Sequence, residues 1–298
     1  MLKDLTSNGN SRDRNIRIRK FQTPQIPPPY AKQVEENLKD VKYKIAVISG
    51  KGGVGKSFVS AALALALAKL GYQVGLLDLD VHGPSIPKIT GIRGMRPYAV
   101  EGKIEPIPLA ENLKVLSLEL MLDDVNKPIV WRGPLKSKAI IELLYLTNWG
   151  KLDYLIFDLP PGTGDEPLSV AQLVPEPRGA IIVTTPSSLA GTVVRKAVEF
   201  CFQLDLPIIG IVENMSYFKC PVCGTIHKIF GEGAAEEVAK VYNLDIIARI
   251  PVHPDLSRAL DEGTLPSLIL GNQEHEVTRS IIEFAKKVVE KTKEPLEK

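Results

Sequence analysis

Cysteine is nearly absent: the 298 residues hold three, Cys201, Cys220 and Cys223. That is too few, and too closely grouped, for a disulfide framework across a chain of this length, so the fold must rest on burial. Aromatic residues are scarce at 6%, and no run approaches the roughly 18 consecutive apolar residues of a membrane span. The opening residues, MLKDLTSNGN, lack the apolar region of a secretory signal. An excess of one charge is missing as well. The 37 Lys and Arg face 35 Asp and Glu, a net of +2, which excludes the overall basicity of a dedicated nucleic-acid binder. A soluble cytoplasmic protein is expected, with neither membrane nor nucleic acid as its partner.

Apolar residues make up 44% of the chain, enough for one large core or two modest ones. Their distribution is uneven. Residues 1–44 carry ten basic side chains against five acidic ones and include the segment PQIPPP. A basic, proline-containing flexible arm is therefore expected over residues 1–42, with at most a short helix near 31–40, ahead of a domain spanning 43–298. In that domain short, continuously apolar runs (KIAVIS, QVGLLDLD, KVLSLEL, DYLIFDLP, GAIIVTT, PIIGIVENM, DIIARIP) alternate with helical stretches. Strands apolar on both faces suit a mostly parallel sheet covered by helices on each side, a doubly wound α/β fold. Cys201 continues an apolar helical stripe in VVRKAVEFCFQL and reads as core. From Glu274 to Lys291 a stripe of Val277, Ile281, Ile282, Ala285, Val288 and Val289 predicts a helix docked on the domain.

The string Gly50-Lys51-Gly52-Gly53-Val54-Gly55-Lys56-Ser57 fits GxxxxGK[ST] and stands between a strand, KIAVIS, and a helix, FVSAALALALAKL. Glycines there let backbone N–H groups wrap a polyphosphate while the helix N-terminus adds partial positive charge. Lys56 is placed to reach the β- and γ-phosphates, and the Ser57 hydroxyl to bind Mg²⁺. A second lysine, Lys51, cannot easily fold back onto phosphates that its own loop surrounds. It could reach nucleotide held by an opposing copy, which suggests a face-to-face homodimer. In this respect GKGGVGKS resembles the deviant Walker motif of the MinD/ParA/nitrogenase-iron-protein class, in which the first lysine works across a dimer interface.

Two strand ends supply carboxylates, where ligands of parallel sheets bind. Asp158, ending DYLIFD, reads as the Walker B group, holding Mg²⁺ through water. Asp80, just before the HGPS segment, is placed to orient or deprotonate an attacking water, with Asp78 supporting that loop or the metal's outer shell. Asp165 could couple the PPGTGD loop to the γ-phosphate or cap the next helix. Asn214 ends another strand, and the resemblance to the MinD/ParA class implies that its amide recognises adenine. No NKxD pattern of guanine-specific relatives is present, so ATP is the expected nucleotide.

Cys220-Pro221-Val222-Cys223 offers two thiolates, half of a tetrahedral metal or cluster site. The same pair in a second copy would complete the set about a two-fold axis. A bridging [4Fe–4S] cluster and a bridging Zn²⁺ both satisfy this; His227, in C-x₂-C-x₃-H, keeps zinc in play, and spacing alone does not choose between them. The strings DLDVHGPSIPKITG, VWRGP, FDLPPGTGDEPLS and NMSYFKCPVCGTIHKIFGEGAAEEVA resemble the Mrp/ApbC/Nbp family of iron–sulfur cluster carriers, over roughly Tyr43 to Leu265, in a minimal form seen in prokaryotes, particularly archaea. That resemblance implies an ATPase that binds a labile cluster between two subunits at Cys220 and Cys223, exchanging it with scaffold proteins and apo iron–sulfur proteins. The N-terminal four-cysteine motif of the eukaryotic cytosolic branch is absent, so no second, stable cluster is expected. Two rival readings remain: a positioning or partitioning ATPase of MinD/ParA type, and a zinc-bridged adaptor dimer clamped by ATP.

Overall fold

The apolar runs become strands of one sheet, and their order decides where loops can meet a ligand. A computed structural model describes residues 28–80, 83, 85–121, 133–162, 164–187, 190–271 and 274–294. The basic segment up to residue 27, part of the HGPS turn, most of VWRGP and the side chain of Asp165 lie outside the described residues.

Helix α1 (Pro28–Leu38) leads into β1 (Val41–Ile48), and the glycine loop joins it to α2 (Lys56–Lys69). Next come β2 (Val74–Asp78), the short α3 (Ile86–Ile89), a small hairpin of β3 (Tyr98–Val100) and β4 (Lys103–Glu105), then β5 (Ile107–Ala110) and β6 (Leu113–Ser117). Strands and helices then alternate through α4 (Gly133–Leu146), β7 (Leu152–Asp158), α5 (Asp165–Leu173), β8 (Gly179–Thr184) and α6 (Ala190–Gln203). Last are β9 (Ile208–Lys219), β10 (Ile226–His227), α7 (Ala234–Tyr242), β11 (Ile246–Val252), α8 (Pro254–Glu262) and α9 (Glu276–Lys293).

The sheet runs β10-β9-β8-β1-β7-β2-β6-β5, with β11 also paired to β9. Its pairs are parallel except β5 with β6 and β10 with β9. The doubly wound α/β expectation therefore holds. Because β1 lies between β7 and β8, connections leave to opposite sides and a crevice opens at its carboxyl end, where the glycine loop begins.

Two apolar layers cover the sheet. On one face α2 is buried from Lys56 to Ala68, and its Ala/Leu alternation leaves room for α9 to lie against it. The α9 stripe is as expected: Val277, Ile281, Ala285 and Val288 are buried, and Phe284 joins them. Arg178 fastens the end of that helix, donating from Nε to Thr292 O (2.9 Å) and from Nη2 to Lys291 O (3.1 Å), two carbonyls a helix end leaves unpaired. The other face holds Cys201, buried as expected, among residues from α1, α4, α6 and α7.

One boundary needs correction. Within the expected flexible arm of residues 1–42, the short helix expected near 31–40 forms as α1 over residues 28–38, but it is docked, burying Val34 and Leu38. Asn37 Nδ2 donates to Leu144 O and Thr147 O, both at 2.9 Å, satisfying the C-terminal end of α4. Two apolar anchors in a charged stretch gave too thin a stripe to reveal this docking.

Candidate functional site

The glycine loop is shaped by its neighbours. Gly55 sits at φ +82°, and a Cβ built on it would lie 2.2 Å from Asn214 Nδ2. Gly50 leaves no room either: a Cβ there would come 2.2 Å from Val193 O in α6. A Gly50→Ala variant must displace a helix backbone, so a loss of roughly 1–3 kcal/mol is expected, the cost of overpacking. Thermal melting checks this, and an unchanged midpoint would show that α6 yields freely. Gly55 is also the N-cap position of α2 and offers no side-chain cap, which leaves the helix's first N–H groups facing the loop.

A cavity of about 290 Å³ opens there, lined by Lys51, Gly52, Gly53, Gly55, Lys56, Ser57 and Asp80, with Ile89 and Leu260 among its apolar walls. The structure thus brings together Lys51, Lys56, Ser57 and Asp80. Lys56 is buried and folded onto carboxylates: its Nζ lies 2.8 Å from Asp158 Oδ1 and 3.8 Å from Asp80 Oδ2. Parallel register sets Asp158 of β7 beside Asp78 of β2. Asp78 Oδ1 accepts from Asp80 N–H (3.1 Å) and Oδ2 from Ser117 Oγ (2.9 Å), so Asp78 supports the loop that carries Asp80. Ser60, a lone hydroxyl in the apolar run of α2, donates to Asp158 Oδ1 at 2.8 Å. Sequence reasoning passed over it, although its place one turn after Lys56 was a readable signal.

Three carboxylates around one lysine leave negative charge in excess. Burial first, and Asp158 beside it, push the Asp78 carboxyl up to about 8, with Lys56 opposing. An unfolded Asp releases its proton near 3.8, so between that value and about 8 the folded chain binds more protons than the unfolded one. Stability should therefore fall as pH rises through this window. Asp78→Asn is expected to flatten that decline in denaturant titrations run from about pH 4 to pH 8. An unchanged slope would place the proton elsewhere. The second oxygen of Asp158 is buried without a hydrogen-bond partner among the described residues, and the surrounding donors are hard oxygens, a set that fits Mg²⁺.

Asn214 is not brought to the cavity. It is 3% exposed, and its Nδ2 donates to Val54 O at 2.9 Å, behind the loop. The cysteines are also elsewhere. Strand β9 continues past Asn214 to Lys219, turns, and returns as β10, with Cys220 half-buried and Cys223 exposed at the tip. Val222 between them is 93% exposed, and Ile226, Ile229 and Phe230 lie open nearby. The Cys223 thiol is held below its ordinary value, first by the Thr225 hydroxyl and backbone and then by Cys220, whereas burial pushes Cys201 up to about 12. His227 lies against the Phe218 ring, centroids 6.4 Å apart. It does not gather with the two sulfurs into a three-ligand group among the described residues, so His227 adds nothing to a Zn²⁺ that would bridge the two cysteine pairs.

One trio does gather: His253, Asp255 and His275. Both histidines are helix caps. Asp255 N–H donates to His253 Nδ1 (3.1 Å) and Val277 N–H to His275 Nδ1 (3.2 Å), while His275 Nε2 lies 3.2 Å from Asp255 Oδ2. Each neutral ring then carries its proton on Nε2 and keeps no lone pair for a cation.

Comparison with known proteins fits this geometry. The family model for ParA, described as NUBPL iron-transfer P-loop NTPase, matches residues 40–289. An iron-sulfur cluster carrier protein of Saccharolobus solfataricus is 44% identical over 257 residues, 86% of each chain. The solved nucleotide-binding protein of Archaeoglobus fulgidus, in complex with ADP, is 41% identical with a TM-score of 0.71, covering 80% of this chain and 93% of that one. MinD of Pyrococcus horikoshii shares the fold at 21% identity, with a TM-score of 0.61 over 83% of this chain and 96% of its own. With its glycine loop at the carboxyl end of β1 and a match spanning most of its length, the chain belongs to the ParA family of NUBPL iron-transfer P-loop NTPases.

Proposed function

We propose that the protein is an ATP-hydrolysing carrier that holds a labile iron–sulfur cluster between two copies of itself and delivers it to apo-proteins. The observation that carries this reading is the hairpin tip: two adjacent cysteines, no third ligand among the described residues, and an exposed apolar rim. Two sulfurs per chain meet a four-sulfur requirement when the tips of two chains face each other. Curated relatives such as the Saccharolobus solfataricus protein carry the name of cluster carriers. In this reading the cluster is cargo, received from scaffold proteins and passed to apo iron–sulfur proteins.

Within the cavity, Lys56 exchanges its carboxylate partners for the β- and γ-phosphates, and Lys51 reaches the nucleotide of the opposing copy. Ser57 and, through water, Asp158 would hold Mg²⁺, which would supply positive charge against the carboxylate excess and the phosphates. Asp80, fixed by Asp78, orients the attacking water. Asn214 spends one amide N–H on Val54 O, which leaves its second N–H and its carbonyl to read adenine. ATP is preferred because no guanine-reading NKxD is present and the Archaeoglobus fulgidus relative was solved with ADP.

Anaerobic reconstitution with iron and sulfide tests this directly. The expected product is a dimer with the broad visible absorption of an iron–sulfur centre and one cluster per two chains. Stoichiometric zinc without that chromophore, or iron held by a monomer, would overturn the reading.

A further inference from the structure

We infer that Thr225 is a positioning residue of the cluster site, its hydroxyl donating to the Cys223 sulfur whenever that sulfur is bound to iron. The inference rests on the carrier reading and adds a residue to it. The turn fixes where Thr225 stands. Cys220 N–H donates to Thr225 O at 2.9 Å, and Gly224 N–H to Cys220 O at 2.8 Å, with Gly224 in the left-handed region at φ +73°. The next residue, Ile226, enters the ladder opposite Lys219. A threonine is stiff about χ1, so a backbone held on both sides leaves its hydroxyl few positions. The position taken is 3.2 Å from Cys223 Sγ.

In the metal-free chain the thiol hydrogen can bridge the two atoms, sulfur donating to oxygen. Ligation to iron removes that hydrogen, because the thiolate is the ligand. The hydroxyl hydrogen is then the one available between them, and the bond reverses to O–H donating to sulfur. Such a bond draws electron density from the sulfur and makes a cluster easier to reduce, while orienting the ligand. A hydroxyl that merely closed the turn would leave the cluster's potential untouched. Thr225 is exposed, so its replacement disturbs no core packing.

The test compares the full chain with Thr225→Val, which keeps the shape and removes the hydroxyl, and Thr225→Ser, which restores it. In the metal-free chain, with Cys220→Ala isolating Cys223, iodoacetamide should react roughly fivefold more slowly in the valine variant at neutral pH, the scale of one hydrogen bond. Serine should recover most of that rate. In the reconstituted dimer, valine should move the cluster's potential to a more negative value at unchanged iron content, and serine should move it back. Equal alkylation rates in all three, or an unmoved potential, would overturn the role of Thr225. A wild-type chain that takes up no cluster while the alkylation difference persists would overturn the carrier reading and leave the hydrogen bond standing.

Discussion

Lys56→Met is expected to lower ATP hydrolysis by about 10²–10³-fold, the cost of removing one preorganised charge from a phosphoryl-transfer site. The same change should destabilise the nucleotide-free protein. Lys56 is the cation at 2.8 Å from the fully buried Asp158, and it also opposes charge on Asp78 and Asp80. Removing one partner of a buried pair costs roughly 3–5 kcal/mol, because the group left behind stays desolvated and unpaired. Proton uptake by the carboxylates recovers part of that loss, so the deficit should be smaller in mild acid than at neutral pH. Mg²⁺ should raise the melting temperature of Lys56→Met more than that of wild type, since the ion meets an uncompensated cluster. Equal melting temperatures for the two proteins would show that Lys56 contributes little to the folded state, and unimpaired turnover would remove it from the reaction.

The second large effect concerns the hairpin tip. Cys220→Ala and Cys223→Ala should each abolish the visible chromophore and leave a monomer, because a symmetric site loses two of its four sulfurs with every substitution. Nucleotide binding should survive in both, since neither cysteine lines the glycine-loop cavity. Iron content, light scattering and nucleotide titration separate these outcomes. A variant that stayed dimeric with full iron loading would place the cargo elsewhere, and one that lost nucleotide affinity would mean that the tip is coupled to the nucleotide loop through β9.

Much of this was legible from the sequence because it is written in contiguous residues. The glycine loop announces itself by lying between a continuously apolar strand and a helix, and the parallel sheet by repeated runs such as DYLIFD and GAIIVT. What could not be read depends on residues far apart in the chain. Lys56 and Asp158 share no local pattern, and only parallel pairing of β1 and β7 sets them in contact. For Asn214 the resemblance to the MinD/ParA class implied an adenine reader, and the contact of its amide with Val54 O at the back of the phosphate loop, 160 residues away in the chain, left no trace in the sequence. The β3–β4 hairpin was missed because its strands are three residues each, one fully exposed and the other half-exposed, and so carry no alternation. Thr225 gave no sign, since a hydroxyl two residues from a cysteine means little until the turn's geometry is known.

Strand β9 carries Asn214 at the nucleotide loop and ends one residue before Cys220, gripped in turn by β8, β11 and β10. At about 3.3 Å per residue it is a lever of roughly 20 Å between those two points. Its fulcrum has a soft place, because Met215 stands in the left-handed region at φ +56°, where a side chain is held only by its surroundings. A swing of about 5° there would carry the far end, roughly 16 Å away, by about 1.4 Å, more than half of the roughly 2.3 Å length of a metal–sulfur bond. Two such arms, related by a two-fold axis, would open or shut their grip by twice that amount.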